Sequence, residues 1–157
     1  MLQEFQNDSA VITDTSCFIL LDKINALHLL PQLYSNVLTT PEIAREFGIK
    51  LPNWVEIKPV VNRKLIKKYT QKVDIGEASA IALSLEVPSA LLTLDDLKGR
   101  KLALQLNLKH TGTLGILILA KQTGIIPSLQ PFFEKVSHTN FRISIDLLQN
   151  ILKTYGE

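Results

Sequence analysis

The stretch Ala10-Val11-Ile12-Thr13-Asp14-Thr15-Ser16 is an apolar β-type run that stops on a carboxylate and passes into hydroxyl residues. That order reads as strand, site, helix start. In open parallel α/β sheets, ligands bind beyond the carboxyl ends of the strands, so Asp14 stands where chemistry is usually done. Ala90-Leu91-Leu92-Thr93-Leu94-Asp95-Asp96 repeats the design and is followed by a helical stretch. Side by side, two such strands bring Asp14 and Asp95 to one rim of one sheet.

Outward from Asp14, the apolar residues Phe18, Leu21 and Ile24, then Leu27, Leu29, Leu30 and Leu33, recur at helical spacing. Asn25 breaks the run into two short helices. Thr15 or Ser16 can cap the first by accepting from its free amides, or can support Asp14. Asn36-Val37-Leu38-Thr39-Thr40 reads as a short strand, with Thr40 as cap and Pro41 as first residue of a helix from Pro41 to Phe47 that Gly48 ends. Ile43, Ala44 and Phe47 form its inner face. Glu42 and Glu46, four apart, share another face, where like charges cost roughly 0.2–0.5 kcal/mol. The pair is either a solvated acidic face beside Arg45 or a repulsion that something bound offsets.

Trp54-Val55-Glu56-Ile57-Lys58 alternates like a strand. Between Asn62 and Lys72 come Arg63, Lys64, Lys67, Lys68 and Lys72 without one acid, and Lys64, Lys68 and Lys72 line one stripe. Such a run is either a solvated face or an electrostatic footprint for phosphates. Asp74 and Glu77 open the next helix, which runs from Ala78 to Glu86, three apart like a capping box with aspartate in place of serine, so Glu77 is either a cap partner or a ligand. Successive strand residues point oppositely, which divides Asp95 and Asp96 into one ligand and one helix cap. Lys98, Gly99, Arg100 and Lys101 follow. Leu108-Lys109-His110-Thr111 is a last short strand, Gly112-Thr113 starts a buried helix from Leu114 to Lys121, and Pro127 starts a helix carrying Phe132, Phe133 and Val136. Phe141-Arg142-Ile143-Ser144 leads into a final amphipathic helix. His28, His110 and His138 are scattered without metal-ligand spacing and read as structural or surface residues.

Strands alternating with helices predict an α/β fold, a three-layer α/β/α sandwich around a parallel sheet of about five strands, in a single domain over residues 1–157. With 46% hydrophobic and 20% charged residues the chain is far from disordered. A net charge of +2 permits contact with nucleic acid without arguing for it. Cys17 is the only cysteine, which excludes a disulfide framework and a cysteine-based zinc site and fits a reducing cytoplasm. Residues 1–8 have neither the positive start nor the apolar core of a signal peptide. The most apolar run, Leu114 to Ala120, is far short of the roughly 20 residues a bilayer demands, so no membrane association is expected.

Asp14 and Asp95 thus belong at strand ends, and Glu46 and Glu77 on helices adjoining those ends. Four carboxylates in one cleft cannot all stay ionised unaided, and divalent cations resolve the conflict. An all-oxygen site without His or Cys suits Mg²⁺ or Mn²⁺ rather than Zn²⁺. The chemistry implied is phosphodiester hydrolysis by metal-activated water.

The chain resembles the PIN-domain nucleases. The resemblance rests on Val11-Ile12-Thr13-Asp14-Thr15-Ser16, then Pro41-Glu42-Ile43-Ala44-Arg45-Glu46-Phe47, then Gly76-Glu77-Ala78-Ser79-Ala80-Ile81-Ala82-Leu83, and Leu92-Thr93-Leu94-Asp95 later. Asp95-Asp96-Leu97-Lys98-Gly99-Arg100-Lys101-Leu102-Ala103 and Thr111-Gly112-Thr113-Leu114-Gly115-Ile116-Leu117 make it most like a subgroup formerly known as a domain of unknown function. The likeness implies a Mg²⁺ or Mn²⁺ site and cleavage of single-stranded or structured RNA. It also implies a toxin of a type II toxin–antitoxin pair, homodimeric and silenced by a small antitoxin protein. Carried over, Asp14, Glu46, Glu77 and Asp95 are the catalytic, metal-binding acids, Asp96 is a fifth candidate, and Thr93 a neighbour that can hold a ligand or water. Many PIN toxins carry aspartate where this chain has Glu77. In this reading Lys64, Lys68, Lys98 and Arg100 bind the RNA backbone, and Thr15 and Ser16 support the acids. The competing reading is a non-catalytic PIN-like module that binds RNA or protein with an incomplete metal site. A phosphatase or receiver-type phosphoacceptor built on Asp14 is more remote.

Overall fold

Strand β1 (Ala10–Thr13) is apolar and β-branched, and it is buried along its whole length, as a strand covered on both faces must be. The computed structural model describes residues 9–157. Residues 1–8, whose composition argues against a signal peptide, lie outside the described residues. The chain then alternates through α1 (Thr15–Lys23), α2 (Leu29–Leu33), β2 (Asn36–Thr39), α3 (Pro41–Phe47), β3 (Val55–Ile57) and α4 (Arg63–Tyr69). It continues through α5 (Ile75–Glu86), β4 (Leu91–Thr93), α6 (Leu97–Gln105), β5 (His110–Thr111), α7 (Thr113–Gln122), α8 (Gln130–Ser137) and α9 (Ile145–Thr154). Asn25 adopts φ 57, the left-handed conformation that separates α1 from α2.

The five strands form one all-parallel sheet in the order β3-β2-β1-β4-β5, flanked by helices as a three-layer α/β/α sandwich. The chain builds outward from β1 to β3, then returns to the other side of β1 with β4 and β5. The strand order therefore reverses between β1 and β4, and a crevice opens there beyond the carboxyl ends. The register pairs Thr13 with Thr93, which sets Asp14 and the Leu94-Asp95 dipeptide on the same rim. Threonines stitch the strands just below it. Thr93 Oγ1 donates to the Ile12 carbonyl at 3.3 Å, and Thr39 Oγ1 donates to the Thr13 carbonyl at 3.0 Å.

The core beneath is built from fully buried Ile12, Phe18, Leu21, Ile24, Leu29, Leu30, Ile81 and Leu92, among others. Each such side chain contributes about 1.5–3 kcal/mol relative to exposure. Thr40 caps α3 by accepting from the Ile43 amide at 3.2 Å, Pro41 opens it, and Gly48 ends it at φ 76. Ser79 Oγ donates to the Gly76 carbonyl at 2.7 Å, so the Thr40 hydroxyl, 2.7 Å from Ser79 Oγ, supplies the proton of that pair. This buried chain of hydroxyls locks the start of α3 to the start of α5.

Two local expectations change. The helix expected from Pro127 starts at Gln130, with Pro131 in its first turn. Its free amides at Leu129 and Gln130 are accepted by the Glu157 carboxylate at 2.8 and 3.0 Å, a long-range cap that no local pattern announces. The strands β3, β4 and β5 are also shorter than the runs expected for them.

Candidate active site

Asp14, Glu77 and Asp95 stand at or just before the start of a helix, and the Glu46 carboxylate reaches one, where unpaired amides and the helix dipole favour negative charge. Asp14 is the residue before α1, only 2% exposed, and its Oδ2 accepts from Ser16 Oγ at 3.0 Å. Glu46, from the last turn of α3, reaches the first turn of α5, where a Cβ on Gly76 would collide with its carboxylate. Glu77, in that first turn, lies against Gly99 in α6, where a Cβ would fall 2.7 Å from its Oε2. Asp95 lies against Gly112 at the head of α7, where a Cβ would fall 2.7 Å from its Oδ1. Three glycines thus admit three carboxylates by having no side chain there.

The hydroxyls near Asp14 do not cap α1, which has no side-chain cap. Thr15 Oγ1 instead donates to Glu46 Oε2 at 2.9 Å, and Ser16 donates to Asp14. Asp95 is the most firmly held acid. It accepts from the Thr113 amide at 2.8 Å, from Thr113 Oγ1 at 2.6 Å and from Cys17 Sγ at 3.2 Å.

Burial pushes Asp14 up to about 7, opposed by the Thr15 amide and Ser16 hydroxyl and reinforced by the charges of Asp74 and Glu46. Burial likewise pushes Glu77 up to about 9, with the Asp74 carboxyl beside it and the charges of Asp14 and Asp96 adding to the effect. Glu77 Oε2 is buried without a hydrogen-bond partner. Burial also pushes the Cys17 thiol up, reinforced by Asp95 and Asp14, so it stays a neutral donor. The acids ring the rim rather than converge: among the described residues, no three Asp, Glu, His or Cys side chains stand close enough to form a ready cation cage. The donor set is all oxygen, and the unpartnered Glu77 oxygen and the buried Asp14 carboxyl belong to groups whose ionised form a hard divalent cation would stabilise.

The remaining residues singled out from sequence divide. Asp96 caps α6, its Oδ2 accepting from the Lys98 amide at 3.0 Å and the Gly99 amide at 3.4 Å, while Asp95 faces the rim. Thr93 is fully buried and turned onto β1. Glu42 is buried, with Arg63 of the basic helix 2.8 Å from its Oε1, whereas Glu46 is bound by Thr15. Lys98 joins Lys72 in lining a cavity of about 380 Å³ beside Asp74, Glu77 and Asp96. Arg100 lines a separate cavity on the Asp95 side. Lys64 and Lys68 are exposed on α4 and line neither cavity.

Three participants escape a reading of the sequence. Asp74 looks like a helix cap, and it is one, its Oδ1 accepting from the Glu77 amide at 2.9 Å, yet its charge also bears on Asp14 and Glu77. Cys17 lies one helical turn after Asp14, and that spacing is the only hint of its contact with Asp95. Thr113 is the first residue of the helix that follows the last strand, and that strand-to-helix junction is the one local signal that points to it.

A protein-family model described as a PIN domain matches residues 10–157 of the chain. No curated protein matches it.

Proposed function

The chain belongs to the PIN-domain family, a nuclease-type fold, and on that premise we propose that it is a Mg²⁺- or Mn²⁺-dependent ribonuclease that hydrolyses RNA phosphodiester bonds. The observation that carries this reading is the ring of Asp14, Glu46, Glu77 and Asp95 at the switch point of the sheet, with Asp14 and Glu77 buried and unable to ionise freely. These four would hold the cation. A cation bound there would supply a lowered pKa for coordinated water and stabilisation of the negative charge on the phosphoryl oxygens.

The chain's own residues orient the acids. Ser16 holds one oxygen of Asp14, Thr15 tethers Glu46, and Thr113 with Cys17 fixes Asp95. Lys72 and Lys98 on one flank and Arg100 on the other offer charge to the RNA backbone, with Lys64 and Lys68 extending the positive surface along α4. Asp96, a cap of α6, serves the site through its charge on Glu77 rather than as a ligand. In the cell the protein acts as the toxin of a toxin–antitoxin pair, a cytoplasmic homodimer of single domains spanning residues 1–157, silenced by a small antitoxin protein. No helix among the described residues is long and apolar enough to cross a membrane.

The test is cleavage of mixed structured and single-stranded RNA with Mn²⁺, with chelator, and by Asp14→Asn. Cleavage that needs both the metal and Asp14 is expected, with Asp14→Asn folded but inactive. Cleavage retained by that variant would sink the mechanism. Induced expression of the wild type, but not of Asp14→Asn, is expected to arrest growth. One observation favours a second reading, a non-catalytic RNA- or protein-binding module: Asp95 already has three donors, and the acids form no closed cage among the described residues. Absence of any Mn²⁺-linked thermal stabilisation would select that module.

A further inference from the structure

Beside Asp95 a cavity of about 430 Å³ opens between the head of α7, α6 and the segment that leads into α9. Its size lies within the range of small-ligand sites, about 300–1,000 Å³. Besides Asp95, Thr111 and Ser144, the lining side chains are of two kinds. Leu114, Phe141, Ile143 and Leu147 make an apolar side, and Arg100 and Arg142 make a cationic one. Neither guanidinium has a hydrogen-bond or ion-pair partner among the described residues. Arg100 Nη1 lies 3.0 Å from the point where a Cβ on Gly112 would stand, so the glycine lets it lie over the backbone next to Asp95. The cavity beside Glu77 differs in kind. Asp74, Glu77 and Asp96 line it with Lys72 and Lys98, and Val73 is its one apolar side chain.

We propose that the Asp95-side cavity is a nucleotide-binding subsite. It seats the base of the ribonucleotide adjoining the scissile bond against Phe141, Leu114 and Leu147, and its phosphate on Arg100 and Arg142. The inference rests on the ribonuclease reading and deepens it. The weakly hydrated π-face of a base takes the uncharged wall at little desolvation cost, and two unpaired guanidinium groups match phosphate oxygens in bidentate fashion. The Glu77-side cavity, polar but for Val73, suits the backbone alone. Sequence preference at the cut is therefore read on the Asp95 side.

The experiment titrates the four ribonucleoside 5′-monophosphates, and separately inorganic phosphate, into the protein in chelator, followed by amide NMR or calorimetry. The variants are Arg142→Ala, Leu147→Trp and Asp14→Asn. Arg142 is exposed, and Leu147 is 47% exposed, so unchanged melting temperatures are expected for both of their variants. At least one monophosphate is expected to bind about tenfold more tightly than inorganic phosphate, and Arg142→Ala to weaken it by about tenfold. Leu147→Trp is expected to block it, and Asp14→Asn to keep it. With Mn²⁺ and a randomised RNA, Arg142→Ala is expected to flatten the nucleotide preference next to the cut. Nucleotide binding unchanged in Arg142→Ala and Leu147→Trp overturns the subsite, as does inorganic phosphate binding equally well. Arg142-dependent nucleotide binding without any RNA cleavage leaves the subsite standing and removes the ribonuclease reading. Cleavage with a preference indifferent to Arg142 and Leu147 does the reverse.

Discussion

Asp14 and Glu77 carry the electrostatic tension of the site. Their carboxyls are pushed up from 3.8 to about 7 and from 4.5 to about 9, so the folded chain holds protons that the unfolded chain has released. Stability falls with pH wherever the native state binds more protons. Their stabilising contribution is complete below the unfolded values, and it is lost as pH rises through about 7 for Asp14 and about 9 for Glu77. In chelator the melting temperature is therefore expected to drop between pH 5 and pH 9, and Asp14→Asn to lose the part of that drop between 3.8 and about 7. On the proposed metal site, Mn²⁺ would displace the same protons, so its stabilising effect is expected to grow with pH. A melting temperature that stays level in chelator across this range would remove the tension. Differential scanning fluorimetry with and without Mn²⁺ reads both.

Helix heads do the positioning. Glu46 against Gly76, Glu77 against Gly99 and Asp95 against Gly112 are three instances of one device, a carboxylate admitted by a glycine at the head of a helix later in the chain. A methyl on Gly76 meets only the far end of the flexible Glu46 side chain. Gly76→Ala is thus expected to displace that carboxylate at little cost in stability, while helix propensity gains about 0.5–1 kcal/mol. RNA cleavage should fall by an order of magnitude or more, about 1.4 kcal/mol per tenfold, with the melting temperature level or higher. Full activity would mean that Glu46 is dispensable. The start of α4 depends on a different pair. Arg63 is the partner of the buried Glu42 carboxylate at 2.8 Å, and Arg63→Ala leaves that carboxylate without its closest cation. A loss of about 1–3 kcal/mol in urea unfolding is expected, and an unchanged midpoint would mean that water serves Glu42 equally well.

Across the whole molecule the mild net charge of +2 conceals a local arrangement. Lys72 and Lys98 flank Glu77, Arg100 and Arg142 flank Asp95, and Lys64 and Lys68 lie away from both cavities. A strand laid across the acids meets cations on either side. Removing one phosphate contact lowers the salt dependence of binding by about one unit of slope. Lys72→Ala and Lys98→Ala are each expected to do so for a labelled RNA in chelator, measured by fluorescence anisotropy at several salt concentrations, and Lys64→Ala to do so less. Equal slopes for all three would mean that the whole α4 face, rather than the cleft, carries the RNA.

Sequence alone determined the parallel α/β fold, the places of Asp14 and Asp95 at strand ends and the cap-and-proline start of α3, because periodicity, proline and glycine act over a few residues. It also divided Asp95 and Asp96 into one ligand and one cap, since alternation along an extended chain is local, and the structure decided that Asp96 is the cap. Other relations were left to the tertiary structure. Thr15 and Ser16 were open between capping and support until Glu46, 31 residues from Thr15, came within reach of its hydroxyl. Glu42 and Glu46 looked alike on one helix, and only the approach of Arg63 to one and Gly76 to the other told them apart. Asp74, Cys17 and Thr113 entered the site through partners distant in sequence, as did the cavity that joins Arg100 to Arg142. The physical reason is range. Backbone conformation is set by neighbours along the chain, whereas the burial and electrostatics that give a carboxylate its chemistry are set by whatever the fold brings against it.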